Sequence, residues 1–180
     1  MMYRLLCLAL LTLLLTGCQP IQKDPSTTPP SVNEEKQDIT REQLIPVDKS
    51  SPVFKVKRVI DGDTFELADG RKVRLIGVNT PETHAPNKPV EYYGQEAAAF
   101  TKATLEGKKV RLQLDVQEKD KYGRILAYVF LEQGPMFNAI LVKEGYAQVM
   151  TVPPNVRYAE LFRELQKDAK QMEKGLWGKH

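Results

Sequence analysis

The sequence predicts an α+β domain in which five short strands form an OB-type β-barrel with three packed helices. The first observation is a series of short runs in which apolar and polar residues alternate, which is the period of a strand. The second is the pair Asp69-Gly70, a strong hairpin signal between two such runs. The third is a helical stretch between the third and fourth runs, an order of elements typical of OB-type barrels.

The strands follow from the alternation along the first two thirds of the domain. In the second strand Phe65 and Leu67 share a face, and in the third Val73 and Leu75 face away from Arg74. The predicted strands cover residues 53–60, 64–67, 73–78, 110–114 and 124–131.

Three helices are predicted from apolar residues at helical spacing and from glycines that follow them. The first covers residues 92–106 and ends before Gly107, and the second covers 138–144 and ends before Gly145. Asn155 is a candidate N-cap for the last helix, which Gly175 would stop. One apolar stripe on this helix comprises Tyr158, Leu161, Phe162, Leu165, Ala169 and Met172.

The N-terminus has the features of a targeting segment, and residues 1–17 are predicted to be a lipoprotein signal peptide. An eleven-residue leucine-rich core, too short to span a bilayer, precedes the motif Leu15-Thr16-Gly17-Cys18. This motif resembles a bacterial lipobox, in which Cys18 is acylated and becomes the first mature residue. An ordinary secretory signal with a chance cysteine is the alternative. We therefore expect an exported protein that a lipid on Cys18 anchors to a membrane face without spanning it.

Residues 18–51 are predicted to be a flexible tether, and residues 52–180 to be the folded domain. The tether is rich in Pro, Ser, Thr, Gln and charges, and its apolar residues are too sparse for a core. The domain carries 21 basic and 17 acidic side chains, a net charge of +4. A basic domain attracts polyanions such as nucleic acid, although so small a charge is a weak indication.

Five charged residues of this domain have the chemistry that phosphodiester cleavage needs. Arg74 and Arg124 can each grip phosphate with a rigid, permanently charged fork. Glu82, held by the preceding proline, can orient or deprotonate a water. Asp61 and Asp63 can hold a hard divalent cation. Considered one at a time, each of these residues is more simply explained as a solvated surface residue or as part of a turn.

Together these residues lie in segments that resemble the staphylococcal nuclease (thermonuclease) family. The resemblance runs from about residue 53 to 177, in order and with near-family spacing. It implies an OB-type barrel that cleaves DNA and RNA with Ca²⁺ and leaves 3′-phosphate ends. The segments that carry it are IDGDT at 60–64, RLIGVNTPET at 74–83, YGQEA at 93–97 and DKYGR at 120–124.

The resemblance also assigns expected roles by position. It implies that Arg74, Glu82 and Arg124 are catalytic, with Glu82 as the general base. The implied calcium site comprises Asp63, Asn79 and Thr80, the last through its main-chain carbonyl, with Asp61 close to the metal. Lys121 and Tyr122 match residues that line the nucleotide site.

Two positions depart from the family pattern. Asn79 stands where the best-known member has an aspartate ligand, so the site loses one negative charge and we expect weaker calcium binding or a shifted metal preference. The segment 150–154 lacks tyrosines that contact the nucleotide in some members, which leaves Tyr122 as the main candidate for base stacking. We also expect the two arginines to lower the pKa of Glu82.

The sequence thus favours an exported, lipid-anchored, monomeric, calcium-dependent nuclease. The main alternative is a non-catalytic OB-fold module that binds nucleic acid without cutting it. A structural surface lipoprotein is a third possibility, which leaves the charged residues unexplained. Because Arg74, Glu82 and Arg124 are all present, the nuclease is preferred over the binding module.

Overall fold

The predicted α+β architecture is confirmed by the structure, a computed structural model that describes residues 50–83 and 89–178. Five strands close into a barrel in the order β1-β2-β3-β6-β5, and three α-helices accompany it within the described residues. The strands are β1 Val53–Asp61, β2 Thr64–Leu67, β3 Lys72–Leu75, β4 Gly77–Asn79, β5 Lys109–Gln113, β6 Ile125–Leu131 and β7 Gln148–Met150. The helices are α1 Gly94–Leu105, α2 Phe137–Lys143 and α3 Ala159–Gln171, followed by a 3-10 turn at Gly175–Trp177.

Neighbouring barrel strands are antiparallel, except that β3 and β6 run parallel. Alternate residues of each strand fill the barrel, as the period-two pattern predicts. The buried apolar residues of the barrel strands include Val56, Phe65, Leu67, Val73, Leu75, Val110, Ala127 and Val129. Of the outward residues, Lys72 of β3 is exposed and Leu126 of β6 is half-buried, whereas Tyr128 and Phe130 of β6 are buried.

The third predicted strand is wrong as a single element, because the chain breaks at Ile76. Strand β3 ends at Leu75, and β4 starts at Gly77 with a φ of +78°, which favours glycine. A Cβ at Gly77 would lie 2.6 Å from the ring of Phe162 in α3. The break lets β4 leave the barrel and pair with β7, a strand that the sequence analysis did not predict.

Asn138 fastens this break to the barrel. Its fully buried side chain accepts a hydrogen bond from Val129 N in β6 (2.9 Å) and donates one to Ile76 O (2.8 Å). The amide therefore satisfies two backbone groups that the end of regular strand pairing leaves inside the protein.

The helices differ from the predicted ones mainly at their ends. Helix α3 starts at Ala159, not at the predicted cap Asn155, whose side chain instead binds both backbone groups of Gln117 (2.7 and 2.8 Å). Met172 is 68% exposed and lies beyond the end of α3, so its place in the apolar stripe was wrong. The rest of the stripe packs on the core through Phe162, Leu165 and their neighbours.

The predicted signal peptide 1–17, the acylated Cys18 and nearly all of the tether 18–51 lie outside the described residues. Among the residues that are described, no helix has both the length and the apolar character needed to cross a bilayer.

We predict that Asn138→Ala lowers the free energy of unfolding by about 2–4 kcal/mol, because it strands a buried N–H and a buried C=O. Urea denaturation measures this, with Gln133→Ala in an exposed turn as the control, which changes stability by less than about 0.5 kcal/mol. Equal small effects for both variants would contradict the role given to Asn138.

Candidate active site

A cleft of about 690 Å³ lies over the outer face of β2, β3 and β6. Its floor is a row of register partners, because Thr64 pairs with Arg74 and Arg74 with Leu126. The charged and amide side chains that line it are Asp61, Asp63, Arg74, Asn79, Glu82, Gln117, Asp120, Lys121, Arg124 and Asn155. The three predicted catalytic residues therefore share one cavity.

The turn Asp61-Gly62-Asp63 forms one side of the cleft and is held from behind by α1. Thr101 of α1, fully buried, donates its hydroxyl to Gly62 O at 2.7 Å. A Cβ on Gly62 would lie 2.6 Å from Thr80 Oγ1, so only glycine fits under Thr80. The sequence analysis missed Thr101, since a threonine within a helix pattern carries no signal of such a contact.

Arg74 is nearly buried, and its Nη nitrogens make three hydrogen bonds and one ion pair. Nη1 donates to Leu75 O (2.8 Å) and Val78 O (2.9 Å), the carbonyls on either side of the strand break. Nη2 donates to Asn79 Oδ1 (3.0 Å) and forms an ion pair with Asp63 Oδ2 (2.9 Å). Burial lowers the pKa of Arg74 and the Asp63 carboxylate opposes that shift, so the guanidinium stays charged.

The predicted metal residues supply only oxygen donors. Asp63 and Asn79 line the cleft, and Thr80 donates its backbone N–H to Asp63 Oδ2 at 3.0 Å. In the part of the chain that the structure describes, no group of three or more His, Cys, Asp or Glu side chains is arranged to hold a metal ion.

The donor chemistry nevertheless suits a hard cation, because calcium is bound by carboxylate and carbonyl oxygens. The buried hydroxyl of Thr80 supports this fit, since within residues 50–83 and 89–178 it has no hydrogen-bond partner. The Thr80 hydroxyl, in the residue next to Asp63 in space, is thus not used in a hydrogen bond by the described protein.

Glu82 is positioned by the segment that leads into α1. Its backbone N–H donates to Glu91 Oε2 (3.1 Å), its carbonyl accepts from Glu91 N (3.0 Å), and Gly94 packs closely on the same backbone. A hydrogen bond with Asp61, together with burial and the charges of Asp61 and Asp63, raises the pKa of Glu82 to about 7. Arg74 lowers the pKa of Glu82, as expected, but the expected net direction was wrong, because Asp61, burial and Asp63 outweigh Arg74.

Arg124 reaches the cleft from the turn before β6 and is aimed by Asp120. Its Nε donates to Asp120 Oδ2 at 2.6 Å, while Asp120 Oδ1 accepts from the backbone N–H of Tyr122 (2.9 Å) and of Arg124 (3.0 Å). Burial alone would raise the pKa of Asp120, but these hydrogen bonds hold it below its usual value. Lys121 lines the cleft, and the ring of Tyr122, 72% exposed, lies beside Lys121 and Arg124.

The opposite wall is apolar. Met150 of β7 and Val152 line the cleft at the segment predicted to lack tyrosines. Asn155, in fixing Gln117, ties this wall to the loop that carries Asp120. Of the predicted site residues, Arg74, Glu82, Arg124, Asp63, Asn79 and Lys121 line one cavity, whereas Thr80 and Tyr122 adjoin it.

Comparison with known proteins agrees with this fold. The family described as staphylococcal nuclease homologue matches residues 72–179. The chain is similar to a thermonuclease of Staphylococcus hyicus, with 51% identity over 69% of this chain and 75% of that protein. It is 50% identical, over the same shares, to a thermonuclease of Staphylococcus intermedius. Endonuclease YncB of Bacillus subtilis (strain 168) is 40% identical over 68% of this chain and 60% of its own length.

The fold and these similarities define an enzyme class, that of endonucleases that hydrolyse phosphodiester bonds. Within that class, the chain belongs to the staphylococcal nuclease family.

Proposed function

We propose that the chain is a calcium-dependent nuclease that cleaves DNA and RNA in this cleft and leaves 3′-phosphate ends. The observation that carries the proposal is the convergence of Arg74, Arg124 and Glu82 on one cavity beside Asp61 and Asp63. The calcium requirement and the product ends are implied by the family.

The two arginines stabilise the charge that builds up on the phosphate in the transition state. Arg74 is rigid, and its Nε–H is the guanidinium donor that has no protein acceptor within the described residues. Arg124 is held by Asp120 through Nε, which leaves its Nη nitrogens to meet the phosphate oxygens. Because the protein already holds both guanidinium groups, Arg74 through its Nη nitrogens and Arg124 through Nε, their charge is in place when the substrate binds.

Glu82 orients the attacking water and accepts its proton. Glu82 lies in the cleft with Asp61 and Asp63, where its carboxylate can accept a proton from a water. Its backbone bonds with Glu91 keep the carboxylate next to Asp61 while the proton moves.

The implied calcium ion would be held by Asp63, the Thr80 carbonyl and Asn79, with Asp61 nearby. When bound, such an ion supplies positive charge that polarises phosphate oxygens and acidifies bound water. Lys121 and Tyr122 would contact the nucleotide, Lys121 through its charge and Tyr122 by stacking. We further propose that the enzyme is exported, monomeric and anchored to the membrane by a lipid on Cys18.

We predict that Arg74→Ala lowers kcat on denatured DNA about 100-fold or more, since it removes a fixed charge from the transition state. Digestion by the parent chain is expected with calcium and is expected to stop with EGTA. The measurement is the release of acid-soluble nucleotides, with Arg163→Ala on the exposed face of α3 as a control of equal charge change.

Tight DNA binding by the parent with no product in calcium would instead support a binding module. Full activity of the parent in EGTA would remove calcium from the proposal.

We predict that Asn79→Asp binds calcium about tenfold more tightly than the parent, the order expected for one more carboxylate near a divalent cation. Isothermal titration calorimetry compares the two. Gln133→Glu adds the same charge outside the cleft and is expected to bind calcium like the parent. Equal affinities for the parent and Asn79→Asp would defeat the argument from ligand charge.

A further inference from the structure

A second row of charged side chains runs beside the catalytic row on the outer face of the barrel. In register, Arg58 of β1 lies opposite Glu66 of β2, and Glu66 lies opposite Lys72 of β3. Lys72 precedes Arg74 by two residues, so the two side chains emerge on the same face about 7 Å apart. The second row thus adjoins the cleft at the residue that grips the scissile phosphate.

The positive charge of this row is not balanced. Glu66 is the carboxylate within it, and two cations share that group, Lys57 Nζ at 2.8 Å and Arg58 Nη2 at 2.7 Å. Glu66 is only 7% exposed, whereas the side chains of Lys57 and Arg58 are more than half exposed. Lys57 and Arg58 are therefore exposed to solvent, whereas the Glu66 carboxylate that pairs with them is buried.

Lys72 adds a further charge without a counterion. It is exposed, and it forms no ion pair within residues 50–83 and 89–178. The pairing of Val73 with Ile125 brings Lys72 next to Arg124, the other predicted catalytic arginine. Arg74 is paired with Asp63 and Arg124 with Asp120, so Lys72 is the one of these three cations that has no carboxylate partner within the described residues.

Some exposed cations of the domain are paired with carboxylates, whereas Lys55 and Lys167, like Lys72, form no ion pair within residues 50–83 and 89–178. On α3, Arg163 is paired with Glu160, and after α3 Lys174 is paired with Glu144 (2.9 Å). Lys72 differs from Lys55 and Lys167 in its position, because it lies beside Arg74 where the barrel face meets the cleft.

We propose that Lys72, backed by Lys57 and Arg58, binds the phosphate next to the scissile one on an extended single-stranded nucleic acid. The inference rests on the proposed nuclease function, because it takes the strand to pass over Arg74. A flexible single strand fits, since the distance from Arg74 to Lys72 is within the reach of one nucleotide. Lysine side chains recognise the backbone charge, so this subsite adds affinity without choosing a base.

The test measures how binding depends on oligonucleotide length and on salt. The purified full-length chain is titrated with fluorescent oligothymidylates of two and eight nucleotides, in EGTA, at several salt concentrations. Lys72→Ala and Lys57→Ala are compared with Lys72→Arg, which keeps the charge, and with Lys167→Ala, an exposed lysine of α3. Lys57→Ala leaves Glu66 paired with Arg58, so the barrel is preserved.

For Lys72→Ala we expect the affinity gain from two to eight nucleotides to fall several-fold. The slope of log Kd against log salt for the octamer is expected to shrink by about 0.7, the value for one phosphate contact on a single strand. Lys57→Ala shows a smaller loss, whereas Lys72→Arg and Lys167→Ala behave like the parent.

An unchanged slope in Lys72→Ala, or an equal loss in Lys167→Ala, overturns the subsite. A different result would contradict the proposed nuclease function, namely full activity of Arg74→Ala on a dinucleotide.

Discussion

The site depends on the burial of one cation, the guanidinium of Arg74, at a break in the barrel. Moving a charge out of water is costly unless its polar contacts are replaced, and here the guanidinium makes three hydrogen bonds and an ion pair with Asp63. Two of those acceptors, Leu75 O and Val78 O, face the same guanidinium because the chain turns at Ile76. The break in β3 is therefore the constraint from which the position of Arg74 follows.

Parts of the fold outside the barrel maintain that break. Phe162 of α3 fills the space over Gly77, Asn138 of α2 binds Ile76 O, and β7 pairs with β4. The same arrangement returns Asn79 and Thr80 to the side of Asp63, so that oxygen donors and the guanidinium share one wall. Helices α2 and α3 thus support the site from behind without lining it.

The extent to which the sequence predicts this site differs from residue to residue. The barrel strands follow from alternation, since in β3 the inward residues Val73 and Leu75 are apolar and the alternating residues Lys72 and Arg74 are charged. The break at Ile76 is not predicted by alternation, because Ile-Gly-Val continues the pattern of a strand. The cause of the break is Phe162, which lies far along the chain. Asn155 has the chemistry of a helix cap, but a long-range bond to Gln117 uses it instead. The raised pKa of Glu82 likewise depends on carboxylates that only folding brings together.

In the proposed mechanism, Arg74 and Arg124 bind one and the same phosphodiester group. A double-mutant cycle on kcat/KM tests it most directly, with Arg74→Lys, Arg124→Lys and the double variant, since residues that act on one group lose activity non-additively. We expect the double variant to be much more active than the product of the two single losses, with a coupling of at least about 1 kcal/mol. Losses that add to within about 0.5 kcal/mol would show two independent sites and contradict the account.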